Sequence, residues 1–116
     1  MTDEDQRTSK PFNGLSPADT EVLAILAEEC GELVQAVTKI LRHGIYSHHP
    51  ESAQVTNRDL LEKEMGDVLG AMRMVCEAHI ADRDAIYLQA RGKLARLGRW
   101  LHHARPFYVE PGEKIL

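Results

Sequence analysis

Four acids recur in two short segments whose residue types and spacing suit cation chemistry: Glu29 and Glu32 in the first, Glu64 and Asp67 in the second. Within each segment the acids stand three residues apart. On a helix that separation puts both side chains on one face with Cβ atoms ~5 to 6 Å apart, close enough to grip one ion together. The segments also match each other. ECGELVQAV (29–37) and EMGDVLGAM (64–72) carry acid, glycine, acid and alanine at the same offsets, so both segments solve the same local problem.

A helical wheel at ~100° per residue shows what that problem is. In the first segment Leu23, Leu26, Cys30, Leu33, Val34, Val37 and Leu41 form an apolar stripe. Glu29 falls inside a widened apolar arc, with Leu33, Val22 and Ile40 on one side and Ile25 and Ala36 on the other. In the second, Leu61, Met65, Val68, Leu69, Met72 and Cys76 make the stripe, and Glu64 lies between Val68 with Val75 and Ala71 with Ala78. Both acids therefore aim at the interior, with Glu32 and Asp67 at the edge of the arc. A carboxylate buried without compensation costs several kcal/mol, so it finds a cation or becomes neutral. All-oxygen ligation selects hard cations, Mg²⁺ first with Mn²⁺ as a substitute. Gly31 and Gly66 each cost ~1 kcal/mol against alanine inside a helix, and close approach of a helix or ligand is the expected compensation.

The elements that must position these acids read as three helices. Residues 1–16 form a mobile arm ending in the turn-forming Asn13 and Gly14. Ser16 as N-cap and Pro17 at the first helical position then start a helix that Gly44 stops after about His43. Residues 45–57 hold Pro50 and no sustained period, a connection that is long for a helical hairpin. Asn57 is the expected N-cap of a second helix running to about Ile80, and Asp82 caps a third that continues to about His103, before Pro106. Residues 17–103 thus make one helical domain, and 104–116 a tail. Cys30 and Cys76 read as buried small hydrophobes, His79 as a core histidine on the second helix, and the pairs His48-His49 and His102-His103 as surface or interface residues. Three helices of this kind leave apolar stripes that a symmetric partner can cover.

The composition excludes several classes. With 116 residues, 43% hydrophobic, the chain fits one globular domain. A net charge of -4 gives no general attraction to nucleic acid. No apolar run approaches ~18 residues, and the polar N-terminal stretch lacks a secretory pattern, so no membrane association and a cytoplasmic location are expected. There is no Ser/His/Asp order, no phosphate-cradling GxxxxGK[ST] and no zinc spacing. A di-iron carboxylate bundle needs Glu-x-x-His on two helices, and the second motif here is Glu64-x-x-Asp67. The alternative to an enzyme is a non-catalytic helical metal-binding or interaction module that uses the acids to hold a structural ion.

The run Glu28-Glu29-x-x-Glu32 followed by Glu64-x-x-Asp67 resembles the EExxE...ExxD signature of the MazG-like all-alpha NTP pyrophosphohydrolase superfamily, over roughly residues 20–100. The wording around it is similar in particular to short single-domain, phage-type members. The resemblance implies an all-α fold, a bundle of three main antiparallel helices completed by oligomerisation as a homodimer or homotetramer. It also implies Mg²⁺-dependent hydrolysis of a nucleoside triphosphate between the α and β phosphates, giving a monophosphate and pyrophosphate. Carried over, Glu29, Glu32, Glu64 and Asp67 would bind Mg²⁺, and Glu28 would orient or deprotonate the attacking water. Acids alone repel a triphosphate, so basic residues must assist the metal; Lys39, Arg42, Arg91, Lys93 and Arg96 are candidates. Gln89, Lys93, Arg96 and Trp100 recur on one helical face that can touch nucleotide, and Gln89 and Lys93 look like the amide and lysine that the family's third helix brings to substrate. Gln89 stands where asparagine is more usual. Asn57 also resembles the family pattern at the start of the second helix.

Overall fold

A computed structural model describes residues 12–105 and 107–116. Most of the arm expected over residues 1–16, namely 1–11, and Pro106 lie outside the described residues. The described residues form three helices and no strand: α1 (Pro17–His43), α2 (Asn57–Glu77) and α3 (Arg83–Leu97). The chain divides into two compact units, one ending at Ile80 and the other running from Ala81 to Leu116. None of the helices is long and apolar enough to cross a membrane.

In the first unit α1 begins as expected. The Ser16 hydroxyl accepts from the Asp19 amide at 3.1 Å, Pro17 sits in the first turn, and the Gly44 amide donates to the Ile40 carbonyl. Gly44 has φ +100, a conformation L side chains rarely adopt, so the helix stops there. The connection folds back through a bridge between His48 and Thr56, and the Asn57 and Arg58 amides donate to the Ser47 and Ile45 carbonyls. α2 is capped by Thr56 rather than Asn57. The Thr56 hydroxyl accepts from the Asp59 amide, and the Asp59 carboxylate accepts in turn from the Thr56 amide, forming a reciprocal capping box.

α2 ends at Glu77, earlier than expected, in a Schellman turn: the His79 amide donates to Cys76 and the Ile80 amide to Val75. His79 occupies the left-handed position of that turn at φ +58 and is exposed, so it is a helix terminator and not a core histidine.

α1 and α2 pack against each other, and Ala36, Ala71 and Val75 are the buried hydrophobics among the described residues, flanked by half-buried ones such as Ile25, Leu33, Ile40 and Val68, with Asn57 the buried polar one. The arc that carries the acids is therefore the arc that packs. The neighbouring stripe faces outward instead, with Val34 64% and Leu41 81% exposed, Val37, Met65 and Leu69 also exposed, and Cys30 exposed rather than buried. Cys76 is half-buried. A Cβ added at Gly31 or Gly66 meets nothing within 4 Å, so the close approach expected at these glycines does not occur within the chain.

In the second unit the Asp82 carboxylate accepts from the Ala85 amide at 2.9 Å and starts α3. α3 stops at Leu97, short of the expected His103, with Gly98 as its C-cap. Trp100 consequently lies in the turn after the helix, its amide donating to the Leu97 carbonyl, and its side chain is 73% exposed. Phe107 and Tyr108 of the tail are exposed.

Candidate metal centre

Glu29 and Glu32 leave α1 on successive turns toward α2, and Glu64 and Asp67 leave α2 toward α1. Their carboxylate groups each offer an oxygen, and these oxygens all lie within 4.8 Å of one another. All four residues are half-buried. Glu29 Oε2 and Glu64 Oε2 are enclosed with no hydrogen-bond partner, and the Glu64 side chain is only 14% exposed. Buried carboxylate oxygens without donors are rare in folded proteins, because each forfeits hydration without replacement.

The electrostatics follow. Desolvation, reinforced by the negative charges of Glu32, Asp67 and Glu64, holds the Glu29 carboxyl above its ordinary value. Lys63 responds in the opposite sense. Its Nζ donates to Asp67 Oδ2 at 2.8 Å and sits 3.5 Å from Glu64 Oε1, and this hydrogen bond together with the two acids' charges raises the Lys63 pKa. Sequence reasoning passed over Lys63. Its signal was present in the spacing, one residue before Glu64 and four before Asp67.

Hard oxygen donors gathered at this spacing, two of them orphaned, fit a divalent cation such as Mg²⁺ or Mn²⁺, which binds carboxylates and retains waters. Beside the acids lies an open cavity of about 330 Å³ lined by Glu32, Gln35, Ala36, Lys39, Leu60, Lys63 and Glu64. A second of about 360 Å³ shares Lys39 and Leu60 with it and is walled by Arg42, His43, His48, His49 and Asn57 among others. Three of the expected substrate residues, Lys39, Arg42 and Asn57, thus come together around one concavity that adjoins the acids. Asn57 also holds the fold together locally, since its Nδ2 donates to the Gly44 carbonyl at 3.0 Å. Glu28 is exposed on α1 at the margin of the acidic arc.

Gln89, Lys93 and Arg96 are exposed on α3 in the second unit, and Arg91 there is half-buried. The single face expected for Gln89, Lys93, Arg96 and Trp100 is broken at its end, since Trp100 follows the helix.

A family model described as the MazG nucleotide pyrophosphohydrolase domain matches residues 18–90. The matched stretch covers α1, the connection, α2 and the first half of α3; it includes all four acids and Gln89, and stops before Lys93, Arg96 and Trp100. Comparison with curated proteins and with solved structures gives no match.

Proposed function

Because the chain belongs to the MazG nucleotide pyrophosphohydrolase family, we propose that it hydrolyses a nucleoside triphosphate between the α and β phosphates, releasing a nucleoside monophosphate and pyrophosphate. The observation that carries this reading is the convergence of four carboxylates from two helices, with two oxygens enclosed and unpartnered, at the edge of a cavity that shares Lys39 with a second, more basic one.

Glu29, Glu32, Glu64 and Asp67 would hold Mg²⁺, for which Mn²⁺ can substitute. The bound ion supplies charge neutralisation for the polyphosphate and lowers the pKa of a water. Glu28, one residue before Glu29, would take a proton from the water as its oxygen bonds to the α phosphorus, while the bond from that phosphorus to the α–β bridging oxygen breaks and pyrophosphate departs with that oxygen. Lys39 and Arg42 bind the phosphates from the shared concavity, while Asn57 shapes its wall. On α3, the exposed Gln89, Lys93 and Arg96, with Trp100 beyond the helix, are the further candidates for nucleotide contacts. The exposed stripe of Cys30, Val34, Val37 and Leu41 on α1, with Met65 and Leu69 on α2, supports assembly as a homodimer or homotetramer, because apolar surface of this extent on adjacent helices is usually covered. The proposed setting is cytoplasmic, without nucleic-acid or membrane partners.

The deciding experiment incubates purified protein with a panel of nucleoside triphosphates and Mg²⁺ and identifies the products. Monophosphate and pyrophosphate in equal amounts are expected. Release of orthophosphate, or no turnover across the panel, would overturn the proposal.

A further inference from the structure

Lys63 stands on α2 immediately before Glu64 and one turn before Asp67, and one ammonium bridges both carboxylates that α2 brings to the quartet, at 3.5 Å and 2.8 Å. Helical spacing sets up the Lys63–Asp67 half of the bridge, as it does the pairs Arg58–Glu62 and Arg73–Glu77 on the same helix. With the base N-terminal to the acid, an i,i+4 pair has the less favourable orientation, and exposed pairs of this kind contribute little. What sets Lys63 apart is the acids it meets: it touches two members of the quartet at once, and among the described residues it is the only basic side chain ion-paired to any of the four. The same side chain is 60% exposed and lines the cavity that also holds Gln35 and Lys39. Its four-carbon stem therefore lets the ammonium leave Asp67 for that cavity without any movement of the backbone.

We propose that Lys63 is an exchangeable counter-ion: it offsets part of the charge of Glu64 and Asp67 until a divalent cation binds, yields Asp67 to that cation, and then takes a polyphosphate oxygen beside Lys39. This rests on the quartet being the metal centre. A divalent ion and the ammonium compete for the same Asp67 carboxylate, and two positive charges that close repel each other. The displaced ammonium remains within reach of the cavity, where the ligand that suits two adjacent lysines is a polyphosphate or pyrophosphate oxyanion. The negative charge of the four acids is thereby reduced in turn by lysine and by metal, and the displaced lysine offsets part of the charge the phosphate brings.

The test is calorimetric and needs no turnover. Mn²⁺ is titrated into the metal-free protein, and pyrophosphate into the Mn²⁺-loaded protein, for the wild type, Lys63→Gln and Lys63→Arg. Removing an exposed competing cation should tighten Mn²⁺ binding by Lys63→Gln about three- to fivefold and weaken pyrophosphate binding by a similar factor, with Lys63→Arg close to wild type. Equal or weaker Mn²⁺ binding by Lys63→Gln overturns the counter-ion role, and unchanged pyrophosphate affinity overturns the exchange. Absence of Mn²⁺ uptake by all three proteins is a separate result; it removes the metal centre itself and the exchange with it.

Discussion

The Asn57 side-chain amide donates to the Gly44 carbonyl at 3.0 Å, tying the first residue of α2 to the residue that ends α1. Asn57 is buried, so the bond is shielded from water and its loss is not readily made good by solvent. Asn57→Ala should destabilise the protein by about 1–3 kcal/mol, the usual cost of leaving a buried polar group unpaired. Chemical denaturation measures this directly. A change within experimental scatter would mean that the connection is held by its backbone hydrogen bonds alone.

Thr56 and Asp59 form the capping box of α2, and their mutual hydrogen bonds hold the Asp59 carboxyl below its ordinary value. A lowered native pKa stabilises the fold at pH above the unfolded value, and that contribution disappears as pH falls through the native value. Thr56→Ala should cost about 1 kcal/mol near neutral pH. The difference from wild type should shrink in part as acid is added, because the hydroxyl's bond to Asp59 Oδ2 weakens on protonation while its bond from the Asp59 amide does not. Denaturation midpoints over an acidic pH series would show the two curves converging; parallel curves would contradict the assignment.

Glu64→Gln removes a charge from the quartet but little volume. Two effects of opposite direction follow. Divalent-ion affinity and turnover should fall at least about a hundredfold, since even outer-shell changes around metal ligands cost 10–100-fold. The metal-free protein should be no less stable than wild type, and somewhat more so, because one of four mutually repelling acids has gone. Calorimetric Mn²⁺ titration and thermal unfolding of the metal-free protein separate these effects. Full activity in this variant would displace the proposed site.

The outward stripe gives a fourth expectation. A Val34→Glu, Leu69→Glu double variant places charge on exposed apolar positions of α1 and α2 and leaves the buried Ala36, Ala71 and Val75 untouched. Sedimentation should show the wild type as an oligomer and the variant as a monomer with its helical content retained. A wild type that sediments as a monomer at all accessible concentrations would remove the assembly proposal.

The acid quartet and the start and stop of α1 were legible because each depends on short-range chemistry: a three-residue spacing, Ser16 before Pro17, and Gly44 at a positive φ. What the sequence could not disclose was which of two adjacent apolar arcs each helix turns toward its neighbour. Cys30, Val34 and Leu41 are as apolar as Ile25, Ala36 and Ile40, and only three-dimensional packing separates outward from inward. The Thr56-x-x-Asp59 box was readable but hidden by Asn57, itself a good capping residue. His79 looked interior on an extended wheel because nothing in its type announces a left-handed turn; glycine would have done so. α3 ends at Leu97 just before Gly98, while the periodic Arg96 and Trp100 beyond and around it suggest continuation.

The contact between α1 and α2 sits beside four carboxylates, so the hairpin holds a standing repulsion at its seam. Ionic strength enters here with two opposed signs. Added salt weakens surface pairs such as Arg58 with Glu62 or Arg73 with Glu77, yet it also screens acids that push the two helices apart. In the metal-free protein these two effects oppose each other, so the rigidity of the helical hairpin becomes a readout of the surrounding electrolyte as well as of its own sequence.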